Sequence, residues 1–91
     1  MPRELILHCR VQGVACRYYC GQYGRRMGLR GAATNLYDGT VRVLLDTDDD
    51  NAIRDYMRAL RTNPHNIHFY GHISDIDVYE HTGPISGDYV F

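Results

Sequence analysis

The spacing of the apolar residues along this chain changes from a strand period to a helix period and back, twice. The order of those changes limits the fold more than any composition figure. Leu5, Leu7, Cys9 and Val11 alternate with Glu4, Ile6, His8 and Arg10, the period of two that gives a strand one buried face. Further on, Cys16, Tyr19, Cys20, Tyr23 and Met27 recur at helical intervals, with Arg17, Gln22, Arg25 and Arg26 mostly elsewhere and Gly28 as a stop. Residues 31–36 then read as a short strand. Val41, Val43 and Leu45 mark its partner, and Asp38-Gly39 between them is a strong hairpin signal. Ile53, Tyr56, Met57 and Leu60 form the apolar face of a second helix, capped by Thr47 or Asp48 and ended by Asn63-Pro64. Ile67, Phe69 and Ile73 share one parity, whereas Ile76 and Val78 share the other. Such a change within one extended run predicts a bulge near Ser74-Asp75. Residues 80–88 read as a surface loop, and Tyr89-Val90-Phe91 as a short returning edge strand.

Strand, helix, hairpin, helix, strand is the ferredoxin-like split βαβ sandwich (βαββαβ). It is an α+β fold in which an antiparallel sheet carries both helices on one face. Ninety-one residues are expected to form a single domain over 1–91, too short for two useful cores. Gly21 and Gly24 fall inside the first helix, where each costs about 1 kcal/mol relative to alanine. Close approach of that helix to the sheet is the expected compensation.

A formal charge of −1 argues against a strongly basic nucleic-acid binder. An RNA-binding domain of the same element order would carry aromatics on its central strands, and residues 40–46 have none. Met1-Pro2-Arg3-Glu4-Leu5 leads into a strand pattern with no apolar run suited to export or membrane crossing. No membrane or nucleic-acid partner is expected, and a cytoplasmic monomer is. Cys9, Cys16 and Cys20 match no paired zinc spacing and read as buried or half-buried free thiols. A metal site with His8 as fourth ligand and a regulatory disulfide are the alternatives, and spacing does not choose the pair of the latter. The five histidines show no metal spacing either.

The segment Arg10-Val11-Gln12-Gly13-Val14-Ala15-Cys16-Arg17 carries the clearest chemistry. A loop entering a helix presents backbone N–H groups without intrahelical partners, and the helix dipole adds positive potential there. Gly13 allows a tight curve, and Arg17, in the first helical turn, can grip two oxygens of one anion. These are the parts of a metal-free phosphate cradle.

With Thr34-Asn35-Leu36-Tyr37-Asp38-Gly39-Thr40-Val41 downstream, the chain resembles the acylphosphatase family. The likeness takes in Val11-Gln12-Gly13-Val14, Arg17, Gly28-Leu29-Arg30-Gly31, Asn35 and Asp38-Gly39-Thr40-Val41. Ile73, Ile76, Val78 and Tyr89-Val90-Phe91 fit its less specific end. The resemblance implies metal-independent hydrolysis of the carboxyl–phosphate bond of small acyl phosphates, without a cofactor. It implies that Arg17 binds the phosphoryl group and Asn35 positions the attacking water. It implies, too, that the backbone N–H groups of Gln12, Gly13, Val14, Ala15 and Cys16 line the phosphate loop, which inorganic phosphate or sulfate would also occupy. Ala15-Cys16 departs from the family, which usually has glycine or an aromatic and then phenylalanine before the arginine. Cys9 stands where the family commonly has glycine. A binding or regulatory module with weak or no turnover is the alternative these changes leave open. Asp38, beside Gly39, reads as a turn residue.

Overall fold

The computed structural model describes residues 1–9, 13–69 and 71–91, with the backbone alone for 13–15. Five strands and two helices follow one another as β1 (Arg3–Cys9), α1 (Gly13–Arg26), β2 (Gly31–Asn35), β3 (Val41–Leu45), α2 (Asp50–Thr62), β4 (Ile73–Glu80) and β5 (Tyr89–Val90). The strands form one sheet in the order β4-β1-β3-β2-β5, every neighbouring pair antiparallel. This is the expected ferredoxin-like α+β arrangement, with Tyr89-Val90 adding a fifth strand at the free edge of β2.

Alternation decides which face is buried. Leu5 and Leu7 of β1 and Val41, Val43 and Leu45 of β3 are fully buried beneath the helices. The helix residues that meet them are Cys16, Tyr19, Cys20 and Tyr23 from α1 and Ile53, Tyr56 and Leu60 from α2. Buried hydroxyls need acceptors, and here they tie the helices together. Tyr19 donates to the Leu60 carbonyl (2.6 Å) near the C-terminal end of α2, and Tyr56 donates to the Cys20 carbonyl (2.7 Å).

The glycines of α1 do have the expected use of close approach, with Tyr89 of β5 and the following Phe91 as the partners. A Cβ on Gly21 would overlap the Tyr89 ring, and one on Gly24 would overlap the Phe91 ring. The helix is therefore covered on two sides, by the core and by the C-terminal segment. Gln22 donates to the Tyr89 hydroxyl (3.1 Å), and the Arg25 guanidinium lies 5.5 Å from the centre of the Tyr89 ring.

Three details differ from the sequence reading. Asp49, not Thr47 or Asp48, caps α2: its backbone is extended and its carboxylate accepts from the Asn51 and Ala52 N–H groups. Thr47 acts one step outside, its hydroxyl accepting from the Asp49 N–H (3.2 Å). The extended run expected from Ile67 begins only at Ile73. Left-handed Asn63 and Asn66 turn the chain there, and the Asn63 side chain takes both backbone bonds of Ile67, each at 2.8 Å, that a neighbouring strand would otherwise take. Finally, α1 starts at Gly13, so Arg17 sits one turn deeper than expected. The bulge is where parity placed it: His8 pairs with Asp75 and Cys9 with Ile73, leaving Ser74 as the extra residue.

Candidate active site

Leu7 of β1, Val41 of β3 and Asn35 of β2 lie in one cross-strand row. Leu7 and Val41 face the helices, so Asn35, the last residue of β2, belongs to that same side of the sheet. Chain direction puts the end of β1, the end of β2 and the start of α1 at one rim, and α1 packs against β2. Of the sequence-predicted residues, Asn35 ends β2 at that rim and Gly13, Val14, Ala15, Cys16 and Arg17 lie in the first five positions of α1, which starts there. Gly13, Val14, Ala15 and Cys16 form the first turn of α1, where N–H groups lack intrahelical partners. Gln12 lies outside the described residues, as do Arg10, Val11 and Tyr70.

The thiols depart from the sequence reading. Cys9 at the end of β1 and Cys16 in α1 are joined as a disulfide that closes the connection between them. Cys20 alone is free, and fully buried. The pairing follows from the fold: the strand end and the helix start are neighbours in sequence, and the two cysteines lie seven positions apart. Burial pushes the Cys20 thiol up to about 12, against a smaller opposing effect of its hydrogen bonding with Tyr56. A native thiol that resists ionisation while the unfolded one ionises near pH 8.5 binds more protons when folded. Stability is therefore expected to fall as pH rises from about 8.5 towards 12, readable as a declining denaturant midpoint. In the unfolded, unreduced protein a thiol reagent should find one thiol, and three after reduction. Three before reduction would remove the bridge.

Arg17 is about one quarter exposed, and its Nη1 donates to Asp88 Oδ2 at 3.2 Å. Asp88 is in turn anchored to β2, its N–H donating to the Thr34 hydroxyl (3.2 Å) beside Asn35. Gly87 lies so close to Thr34 and Ala32 that a Cβ there would overlap the Thr34 hydroxyl. A continuous path thus runs from Arg17 through Asp88 to the residue preceding Asn35. Next to this path the exposed Tyr18 ring lies parallel to Tyr89, with centroids 6.2 Å apart. Sequence reasoning missed Asp88, which falls in what reads as a surface loop 71 residues from Arg17; no spacing rule could have joined them.

Asn35 is partly buried, and its Oδ1 is wholly buried with no hydrogen-bond partner among the described residues. A buried acceptor in that condition costs about 1–3 kcal/mol and is suited to accept a hydrogen bond from a bound molecule. The following turn is self-contained. Asp38 Oδ1 accepts from the Thr40 hydroxyl (2.6 Å) and N–H (3.0 Å), and Gly39 adopts φ 89°. The Thr40 hydroxyl, followed by its N–H, holds the Asp38 carboxyl below the usual range. Asp38 is thus a turn residue, as its place beside Gly39 suggests.

Comparison with known proteins adds to this geometry. The acylphosphatase family model matches residues 3–89. The acylphosphatase of Deinococcus radiodurans is 43% identical over 54 residues, covering 59% of this chain and 61% of that protein. The one from Corynebacterium glutamicum is 31% identical over 71 residues, covering 78% of this chain and 74% of that protein. For three such relatives the chain spans 57–61% of their length. A crystal structure of acylphosphatase from Bacillus subtilis superposes with a TM-score of 0.71 at 26% identity, covering 99% of this chain and 98% of that one.

Proposed function

The chain belongs to the acylphosphatase family, and from that membership we propose that it hydrolyses acyl phosphates to a carboxylate and inorganic phosphate. In this reading Arg17 holds the phosphoryl group and Asn35 holds the attacking water. The observation that supports it is the buried Oδ1 of Asn35, without a hydrogen-bond partner among the described residues, on the strand that anchors Asp88 and through it a guanidinium with donors to spare among those residues. Among the described residues Arg17 commits only Nη1, to Asp88, and the fork of an arginine has five N–H donors. The rest can bind phosphoryl oxygens together with the backbone N–H groups of the first α1 turn.

The chemistry asks for little more. Water adds to phosphorus while the bond from phosphorus to the carboxyl oxygen breaks, and the electron pair leaves with the carboxylate. That leaving group is the base of an acid with a pKa of about 4–5, so it departs unprotonated and no general acid is required. Phosphoryl transfer then rests on positioning and on stabilising the equatorial oxygens. An amide oxygen accepting a hydrogen from water aims a water lone pair without adding negative charge beside an anionic substrate. No metal is needed for any of these steps.

Purified protein is expected to hydrolyse benzoyl phosphate in the presence of EDTA, monitored as loss of the substrate's ultraviolet absorbance. A folded protein that leaves benzoyl phosphate untouched would instead support a phosphate-binding or regulatory module. Ala15-Cys16 would then be the first place to look, since the bridge to Cys9 begins there.

A further inference from the structure

Asp88 occupies an unusual position for a carboxylate. It is within 3.2 Å of the one side chain proposed to bind an anion, and half exposed, so it is free to have turned to solvent. Instead it is fixed at both ends. Its backbone N–H is bound to Thr34, its side chain to Arg17, and Gly87 before it is pressed against β2. Tyr89 after it is held by Gln22 and Arg25 and seated on Gly21. The C-terminal segment thus runs along α1 with its carboxylate delivered to Arg17.

We propose that Asp88 is a positioning residue for phosphoryl binding, fixing the rotamer of Arg17 relative to Asn35 and weakening the pull of Arg17 on the anion. This rests on the phosphoryl-binding role given to Arg17 above. Occupying Nη1 leaves the other donors of the fork as the anion-binding edge, so orientation is gained. A carboxylate beside a bound phosphoryl group also repels it, so affinity for substrate and for product phosphate is lowered. A site that releases phosphate readily while keeping its clamp aimed is the consequence.

The two effects separate in two variants. Asp88→Asn keeps an oxygen that can accept from Arg17 but removes the charge. It should bind inorganic phosphate about three- to fivefold more tightly, as befits an exposed pair, and lower KM for benzoyl phosphate by a similar factor while keeping most of kcat. Asp88→Ala removes the orienting acceptor as well, and its kcat should fall about tenfold or more with the thermal midpoint within a few degrees of wild type. Phosphate affinity is read by NMR titration, independently of turnover. Wild-type phosphate affinity and kinetics in both variants would overturn the inference and leave the hydrolase reading standing. Losses in both that track a lowered midpoint would reduce Asp88 to a structural tie and overturn it too. An inactive wild type whose phosphate binding requires Arg17 and tightens in Asp88→Asn would sink the hydrolase reading and support the inference.

Discussion

Arg17→Ala is expected to lower kcat/KM for benzoyl phosphate by about 10³-fold or more, and to weaken inorganic phosphate binding, in a protein that stays folded. Removing a single preorganised donor from a charged transition state costs about 10²–10³, and an arginine on a phosphoryl group 10³–10⁵. Both the charge and the bidentate fork go here. Stability should be nearly unaffected, because the side chain reaches the surface and its polar contact among the described residues is the half-exposed Asp88; such pairs are worth at most about 1 kcal/mol. Arg17→Lys separates charge from geometry: it keeps the cation and loses the planar fork, so phosphate binding should survive better than turnover. An Arg17→Ala protein that is folded and hydrolyses at the wild-type rate would end the assignment.

What could be read in the sequence was whatever depends on neighbours along the chain. Period two and the helical period set β1, β3 and the two helices, and the change of parity at Ser74 set the bulge, because side-chain direction is fixed by the backbone. Asp38-Gly39 announced its turn, and Arg17 and Asn35 stood in motifs. The details that escaped depend on contacts made across the fold. The two thiols of the bridge are close only because β1 and α1 meet across a short connection. Asn63 replaces a strand partner for Ile67 with its own amide, which no pattern of apolar residues displays. Asp88 reaches Arg17 because residues 81–88 join the two edge strands of the sheet, β4 and β5. Gly21 and Gly24 were the one long-range clue available, being costly in a helix unless something must come close. They marked the docking of the very segment that carries Asp88.

Asn35→Ala should lose turnover, as Arg17→Ala does, but keep phosphate binding, and the contrast tests the division of labour between them. Deleting the amide removes the acceptor proposed to orient water but no charge and none of the donors proposed to hold phosphate. Turnover should fall about 10²–10³-fold, in the range that positioning contributes, while inorganic phosphate binds within about twofold of wild type. Stability should hold or rise slightly. The buried Oδ1 has no partner among the described residues, so removing it relieves a desolvation cost and breaks no described hydrogen bond of that oxygen. Asn35→Asp sharpens the test, since it keeps the shape and the acceptor and adds a negative charge. Two unit charges about 4 Å apart repel by about 4 kcal/mol at an effective dielectric of 20, so that variant should lose phosphate binding as well as turnover. If Asn35→Ala weakened phosphate binding as much as it slowed hydrolysis, the amide would be part of the clamp and the water would have to be held elsewhere. A loss confined to kcat would leave Asn35 the one group whose only service is to the nucleophile.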